Sequence, residues 1–319
     1  EASVAVLPFR DMSPEHDQEY FADGVTEEIL NSLAALRDLK VTARTSAFAF
    51  KGKDVDLRTI GRTLGVRHIL EGSVRKDDQK LRITAQLIDA QTDAHLWSKT
   101  YDRRLADVFA VQEEIARSVA EQLQVALGVG LGREPGMTRD PAAYDAWLAS
   151  VAARSQYTHA SHLRSLELAQ RAVELDPSFA RAWEQLGVTY DELPAIAGPD
   201  AVPDSAGKAD EAFRRAAALL PQSPGIQRRL YLQDLEEGRW KEAADRMQAW
   251  SETKVSWGPI SGEIEWANFL MLVGRPRRAI PILERARAMD PLNPGIALFL
   301  AAAYGEAGDF ADAGAESDR

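Results

Sequence analysis

The sequence contains no cysteine in its 319 residues. This absence excludes disulfide bonds, a thiolate nucleophile and zinc sites built on sulfur ligands. A chain without thiols fits a reducing and an oxidising compartment equally well, so cysteine usage leaves the location of the protein open.

Long apolar runs and an excess of basic residues are also missing. No stretch approaches the roughly 20 apolar residues that a membrane helix needs, and no basic segment followed by an apolar core opens the chain as a signal peptide would. The formal net charge is -11, whereas nucleic acids and anionic lipids are bound by clustered lysine and arginine. We therefore expect this segment neither to insert into a membrane nor to bind nucleic acid.

The remaining composition is that of a folded protein, with 45% hydrophobic and 27% charged residues. One hydrophobic core rarely serves 319 residues, so the length predicts two domains. The chain starts at Glu1 without methionine and runs directly into the apolar stretch from Val4 to Phe9. This start indicates a piece excised or processed from a longer protein.

The period of the hydrophobic residues changes near residue 105. Before that point short apolar or alternating runs alternate with amphipathic segments, which is typical of an α/β domain with a mixed sheet. The predicted strands are residues 4–9, 39–43, 66–75, 81–88 and 95–101, and the predicted helices are residues 20–36, 56–64 and 108–127. Trp97 and Tyr101 are predicted as core anchors of the last strand, with an exposed contact surface as the alternative.

Residues 128–141 are rich in glycine and proline and predict a linker. Gly128, Gly130 and Gly132 also have the spacing of a phosphate-binding loop. Such a loop follows a strand and leads into a helix, whereas this one follows a helix and runs towards Pro135. The linker is the favoured interpretation, and a nucleotide site is the alternative.

After the linker, helix-ending prolines recur at Pro177, Pro221 and Pro291, at intervals of 44 and 70 residues. These intervals fit one 34-residue tetratricopeptide unit with an insertion, followed by two further units. The family's small and aromatic positions are occupied by Trp183, Leu186, Gly187, Tyr190, Ala209, Phe213, Ala216, Ala279, Leu283 and Ala286. We expect an all-α tetratricopeptide-type solenoid over residues 142–319, with four to five units and a truncated last one. The insertion at residues 191–208 is expected to lengthen a loop between helices.

A set of motifs in the first half has a fixed order and spacing. They are Phe21-Ala22-Asp23-Gly24-Val25-Thr26-Glu27-Glu28, Phe50-Lys51-Gly52-Lys53, Leu70-Glu71-Gly72-Ser73-Val74-Arg75, Ala85-Gln86-Leu87-Ile88-Asp89-Ala90, His95-Leu96-Trp97-Ser98, Tyr101-Asp102-Arg103 and Val111-Gln112-Glu113-Glu114-Ile115-Ala116. Together they resemble the TolB N-terminal-like (FlgO-like) domain, over residues 1–127 of the chain.

The resemblance to a TolB-like domain followed by tetratricopeptide repeats implies a context. In relatives this pair often follows a class III adenylate cyclase, winged-helix or kinase domain, commonly across a single membrane helix. The resemblance therefore implies a receptor-like or scaffold segment of a bacterial signalling protein. It also implies a periplasmic location in a membrane-anchored protein, with the cytoplasm as the alternative.

Residues that suggest chemistry have simpler explanations. His159 and His162 are three apart, but a zinc site needs at least a third ligand. Glu27 and Glu28, being adjacent, point in different directions on a helix, which suits capping better than acid-base catalysis. No nucleophile-elbow, kinase or Walker motif is present. We therefore predict no enzyme activity, no catalytic residue, no cofactor and no metal.

Two groups of residues are candidates for partner binding. Glu184, Gln185, Arg228 and Arg229 fall on first helices of the repeats, where we expect them to be exposed and to project into the groove. The second group is an aromatic-basic patch that could dock an acidic or anionic ligand, with a turn leading into residues 54–56 as the alternative. Its members are Phe50, Lys51 and Lys53, beside Phe48.

The sequence thus favours a non-catalytic protein-protein interaction or sensory segment, with a protein or peptide bound in the repeat groove. The alternative is that the α/β domain senses a small molecule or nucleotide and regulates an upstream effector. The identity of the partner, the effector domain and the oligomeric state are not encoded in any motif.

Overall fold

The structure is a computed structural model that describes residues 2–36, 38–77, 79–125, 135–198, 201–252, 256–257 and 260–317. An α/β domain comes first, and paired helices follow it. The fold class predicted from the sequence, a small mixed-sheet α/β domain followed by a tetratricopeptide-type helical solenoid, is confirmed.

The elements of the α/β domain alternate between strand and helix before ending in a strand meander. They are β1 (Ala2–Val6), β2 (Arg10–Asp11), α1 (Glu19–Ala34), β3 (Leu39–Val41), α2 (Arg44–Phe48), α3 (Leu57–Leu64), β4 (His68–Asp77), β5 (Lys80–Asp89), β6 (Ala94–Arg104) and α4 (Val108–Gln122). A single 3-10 turn, Leu105–Asp107, leads into α4.

The strands of this domain form a mixed sheet in the order β3-β1-β4-β5-β6, with the short β2 also paired to β4. The second strand of this order, β1, runs parallel to both neighbours, so that Val4 lies opposite Val41 on one side and His68 on the other. The predicted hairpin of residues 66–75 and 81–88 corresponds to β4 and β5, and β6 continues it as an antiparallel meander.

Apolar side chains cover both faces of the sheet. Val4 and Val6 pack with α1 and α4, whereas Ala5 and Leu7 pack with α3 on the opposite face, because successive side chains of a strand alternate between faces. Tyr101 is buried and Trp97 packs against the same larger core. The core-anchor interpretation of these two aromatic residues is therefore confirmed.

The described part of the second half contains five successive helix pairs. They are α5 (Pro141–Arg154) with α6 (His159–Leu175), α7 (Ala180–Ala197) with α8 (Ser205–Leu219), α9 (Pro224–Glu236) with α10 (Trp240–Ser251), α11 (Gly262–Leu272) with α12 (Pro276–Met289), and α13 (Pro294–Ala307) with α14 (Phe310–Ser317). Pro177, Pro221 and Pro291 follow α6, α8 and α12, as the repeat pattern predicts.

Small residues allow the helices of these pairs to approach closely. Ala209 and Ala216 in α8 are completely buried. A Cβ atom at Gly187 of α7 would lie 2.9 Å from the ring of Phe213 in α8, so only glycine fits this crossing. The small positions of the tetratricopeptide pattern are therefore explained by helix packing.

Two local features differ from the sequence-based expectations. The two-residue strands β7 (Ser256–Trp257) and β8 (Ile260–Ser261) pair between α10 and α11, so the repeat half is not entirely helical; runs this short show no detectable alternation. In the expected loop 191–208, residues 191–197 instead continue α7, with Pro194 near its end. Residues 128–134 of the predicted linker, including its three-glycine motif, lie outside the described residues.

The first repeat helix, α5, packs directly on the α/β domain. Tyr144 and Leu148 of α5 belong to the same core as α1 and α4, and the Tyr144 ring meets the rings of Phe21 and Phe109 at 6.3 and 5.1 Å in edge-to-face geometry. On the rim, Asp145 pairs with Lys76 at 2.7 Å. Helix α5 therefore contributes to both halves of the molecule.

Gly24 of α1 makes this close packing possible, because a Cβ atom there would lie 2.5 Å from both terminal carbons of Leu148. We expect Gly24→Ala to lower the free energy of unfolding by about 1 kcal/mol or more through overpacking. The matched control is Gly305→Ala in α13, where a Cβ atom meets nothing within 4 Å, and where the gain in helix propensity should stabilise by about 0.5–1 kcal/mol. Urea denaturation measures both. Equal effects of the two substitutions, or no recovery on adding Leu148→Ala to Gly24→Ala, would contradict the prediction.

Candidate interaction surface of the helical repeats

Glu184 is not exposed in a groove as predicted from the sequence. Its residue surface is only 2% exposed, because the start of α9 covers this part of α7. The Ser223 hydroxyl donates a hydrogen bond to the Glu184 carboxylate, and Arg181 lies 3.4 Å from its second oxygen. Burial raises the pKa of Glu184, despite the opposing effect of Arg181. The expectation of an exposed side chain is thus wrong, and Glu184 joins the second helix pair to the third.

Gln185 is also buried, contrary to the sequence-based expectation. Its amide nitrogen donates to the hydroxyl of Ser150 in α5 at 3.2 Å and to that of Ser165 in α6 at 3.4 Å. The hydroxyl of Thr189 extends this network at 3.3 Å from Ser165. Gln185 therefore connects the first two helix pairs through a polar cluster inside the array.

Arg228 and Arg229 are about one-third exposed and make ion pairs between helix pairs. Arg228 of α9 lies 2.9 Å from Glu265 of α11. Arg229 pairs with Asp191 of α7 at 2.6 Å and with Asp210 of α8. These two arginines hold neighbouring units in register, and their positive charges face carboxylates of the chain itself.

The predicted aromatic-basic patch is divided by the fold. Phe50 packs against the small core beneath α3, and Lys51 is held between Asp23 at 2.5 Å and Glu19 at 2.8 Å. Lys53 is exposed in the turn that follows. The two lysines therefore do not present a joint basic surface, and the turn interpretation describes this region better.

Three leucines on the first helices of the last three pairs are exposed instead. Leu232 of α9, Leu272 of α11 and Leu298 of α13 have 39%, 59% and 69% of their surface exposed. The three helices are neighbours, since Arg228 links α9 to α11 and α11 packs beside α13. We refer to these three residues as the leucine strip.

The leucine strip is flanked by acidic side chains. Glu236 lies one turn after Leu232 and shares its helix face. Glu306 lies eight residues after Leu298 on the same helix, α13. Both glutamates are exposed. The surface thus offers apolar side chains beside negative charge.

The sequence does contain a signal for the leucine strip, namely a leucine outside the apolar face of its helix. In α13 the buried residues Ile296, Leu300 and Ala303 recur at helical spacing on one face. Leu298 lies about 200° around the helix from Ile296 and is therefore out of phase with the buried set. A large apolar residue opposite the packing face indicates a contact surface.

A second contact joins the α/β domain to the far end of the array. Asp290, in the turn between α12 and α13, accepts hydrogen bonds from the backbone nitrogen and the hydroxyl of Ser46 at 2.9 and 2.5 Å. The Ser46 hydroxyl accepts from Leu292 N at 2.7 Å, and Ala43 N donates to Met289 O at 3.1 Å. We refer to these five residues as the interdomain clasp.

The polar pair of the clasp, Ser46 and Asp290, is buried and closes a long loop of the chain. Ser46 is completely buried and Asp290 is 7% exposed, although they are 244 positions apart in the sequence. Together with the packing of α5 on α1, the clasp connects the α/β domain to both the first pair and the turn between the last two pairs. Asp-Pro at a helix end shows only where the helix stops, so the sequence does not reveal this partner.

The two histidines considered as metal ligands have separate environments. His162 is completely buried with its Nε2 3.2 Å from Glu192, whereas His159 is exposed at the start of α6. Within the described residues, no group of three side chains suited to a metal ion comes together. Likewise, none of the described helices combines the length and apolar character that crossing a bilayer requires.

The clasp predicts coupling between Ser46 and Asp290. We expect Ser46→Ala or Asp290→Ala to cost about 1–3 kcal/mol, because each leaves a buried polar group without its partner, and we expect the double variant to cost less than the sum. Hydrogen exchange of residues 43–48 and 289–293 should accelerate. Asp245→Ala, which removes an exposed carboxylate paired with Lys241, is the control. If the losses in the free energy of unfolding were additive and the hydrogen exchange of both segments were unchanged, Ser46 and Asp290 would not be coupled.

Glu184 predicts a pH dependence of stability. A carboxyl group with a raised pKa binds its proton more tightly in the folded state, so its contribution to stability falls as the pH rises from the unfolded value of 4.5 through the raised folded value. Relative to Glu184→Gln, the wild type should therefore lose stability over this range in urea titrations. Glu211 is the control of opposite sign, since hydrogen bonds from Arg215 and the charge of Arg214 lower its pKa. If the free energy of unfolding of the wild type rose with pH relative to that of Glu184→Gln, the raised pKa of Glu184 would be contradicted.

Two known families match parts of the chain. Residues 1–118 match the second domain of HilA/YgeH-like transcriptional regulators. Residues 270–317 match the tetratricopeptide repeat, which corresponds to the end of α11, α12, α13 and α14.

One curated protein and two solved structures are similar to parts of the chain. A putative adenylate cyclase 3 of Rhizobium meliloti (strain 1021) is 45% identical over 188 residues, which are 58% of this chain and 32% of the relative. The chain thus spans about a third of the length of this curated relative. PilF of Pseudomonas aeruginosa is 18% identical over 56% of this chain and 74% of its own, with a TM-score of 0.42. TolB of Acinetobacter baumannii is 11% identical over 38% of this chain and 28% of its own, with a TM-score of 0.29.

The first 118 residues of the chain are thus similar to the second domain of HilA/YgeH-like regulators, and residues 270–317 are similar to the tetratricopeptide repeat.

Proposed function

We propose that this chain is a non-catalytic, protein-binding segment of a bacterial signalling protein, and that the leucine strip receives an apolar stretch of its partner. The observation that carries the proposal is the exposure of Leu232, Leu272 and Leu298 on adjacent first helices. Solenoids of stacked helix pairs use extended curved surfaces for binding, and exposed apolar side chains in a row are the usual core of such a contact.

The charge beside the strip indicates the chemistry of the partner. Glu236 and Glu306 flank the leucines, and the whole chain has a net charge of -11. Arg228 and Arg229 are already paired with carboxylates of neighbouring helices, so they add little to the positive character of this surface. The partner that fits is a helix or extended peptide with apolar residues on one face and lysine or arginine beside them.

The relation to a putative adenylate cyclase supports a signalling parent. This chain matches only a third of that protein's length, and no catalytic motif occurs in its sequence. In our proposal the effector chemistry belongs to another part of the parent protein, and the present segment recruits a partner on the periplasmic side of a membrane.

Photo-crosslinking in intact cells tests the strip. A benzophenone amino acid at position 272 of the full-length protein should crosslink a discrete partner, and Leu298→Glu should lower the yield about ten-fold or more, since burying one leucine contributes about 1.5–3 kcal/mol. The control position is Leu219, which is 42% exposed on the second helix α8. Equal yields at positions 219 and 272, or a yield unaffected by Leu298→Glu, would refute the proposed surface.

The same experiment reports the location. Mass spectrometry identifies the crosslinked protein, and a periplasmic partner is the expected result. A cytoplasmic partner that is lost with Leu298→Glu would support the leucine strip and overturn the proposed location.

A further inference from the structure

A surface cleft of about 720 Å³ lies in the α/β domain, between α3, the residues that follow it and the turn between β5 and β6. Its lining comprises Arg58, Gly61, Arg62, Gly65, Val66, Arg67, Ala90 and Gln91. The volume is in the range of small-molecule sites, which usually measure about 300–1,000 Å³. The cleft is formed by α3, on the face of the sheet opposite to α1 and α4.

Three arginines and no carboxylate belong to the lining. Arg58 and Arg62 are four residues apart on α3 and therefore share one face of the helix. Gly65 ends α3 with a φ of 64°, a conformation that suits glycine, and the chain then turns to bring Arg67 to the same cleft. Three arginines thus line one cleft in a chain whose overall charge is negative.

The nearby carboxylates do not neutralise all three arginines. Asp89 lies 2.9 Å from the Nε of Arg67, but it also accepts hydrogen bonds from the backbone nitrogens of Gln91 and Thr92 at 2.9 and 3.2 Å. Asp93 is 3.8 Å from Arg58, and both side chains are more than half exposed. In the described part of the chain, Arg62 has no ion pair within 4 Å, and its hydrogen bond is to the Thr59 hydroxyl at 3.2 Å. Hydrogen bonds from Thr59 lower the pKa of the exposed Asp56 at the start of α3, and the charge of Arg62 adds to this effect.

Apart from the exposed Gln91, the rest of the lining is small and apolar. Val66 and Ala90 are buried, and a Cβ atom at Gly61 would lie 2.7 Å from the Cβ of Ala90. The backbone of Arg67 is fixed by hydrogen bonds with Ser3 at 3.0 Å and with Ala90 at 2.8 Å. An apolar floor of fixed backbone therefore lies beside cationic groups that can rotate.

We infer that this arginine cleft binds a small organic anion. The body of the ligand would contact Val66 and Ala90, and its phosphate or carboxylate group would be held by Arg62 and Arg58. The planar guanidinium group donates two parallel hydrogen bonds to a phosphate or to a carboxylate group. The cleft therefore defines the charge and the size of the ligand, and ligands with either group belong to the proposed class. Ligand binding here would make the α/β domain a sensor in addition to the protein-binding role of the repeats.

Calorimetric titration of the whole chain with pairs of charged and neutral compounds tests this inference. The pairs are adenosine 5′-monophosphate with adenosine, and benzoate with benzyl alcohol, and inorganic phosphate is titrated alone. One organic anion should bind, and its neutral counterpart should not. Preference for the nucleotide identifies a phosphate ligand, and preference for benzoate identifies a carboxylate ligand.

Two substitutions localise the binding. Arg62→Gln should weaken it about ten-fold or more, as the loss of charge-assisted hydrogen bonds predicts. Arg75→Gln, which changes an exposed arginine of β4 outside the cleft lining, should leave it unchanged. Three results would each overturn the inference. The first is no binding by either organic anion at about 10 mM, the second is inorganic phosphate binding as tightly as the nucleotide, and the third is equal affinity of Arg62→Gln and the wild type for the anion. Leu298→Glu should not affect the titration. The proposal of the leucine strip and the inference of the arginine cleft can therefore fail independently of each other.

Discussion

The packing of α5 on α1 is the contact on which the arrangement of the whole molecule depends. Tyr144 and Leu148 are the first repeat's side chains, yet they complete the core of the α/β domain. Gly24 allows the two helices to approach, and the Lys76–Asp145 pair fixes the rim at 2.7 Å. Since every later helix pair stacks on the one before it, this contact sets the direction of the entire array relative to the sheet.

Polar contacts then determine how successive pairs are oriented. Glu184, Gln185, Arg228 and Arg229 all join neighbouring units instead of projecting into solvent. Half-exposed ion pairs add little net stability, because exposed charges lose hydration and side-chain freedom when they pair. Their effect is on geometry, and the interdomain clasp adds a further constraint by holding the turn between α12 and α13 against α2.

The two proposed binding surfaces lie on different parts of this frame. The leucine strip belongs to the last three helix pairs, while the arginine cleft lies on the α3 face of the sheet. The strand β1 relates the two faces of the sheet, because Val4 and Val6 pack towards the α1 side, while Ala5, and Leu7 just after the strand, pack towards α3. The clasp is attached to α2, which precedes α3 in the chain.

Local sequence patterns predicted most elements of the α/β domain and the paired helices of the second half. Strand alternation and helical spacing show which face of each segment is apolar, and the recurring prolines show where helices end. All of this information is local. For the same reason β7 and β8 were too short to detect, and the helical continuation to Ala197 was taken for a loop.

Which polar residues are free to bind depends on contacts between helix pairs that lie far apart in the sequence. Glu184 and Arg229 look exposed in their own helices, but residues of the neighbouring pair cover or engage them. Ser46 and Asp290 meet across 244 positions, and Arg67 joins Arg58 and Arg62 only because the chain turns at Gly65. Burial and charge pairing depend on neighbours that are distant in sequence, and no local period records them.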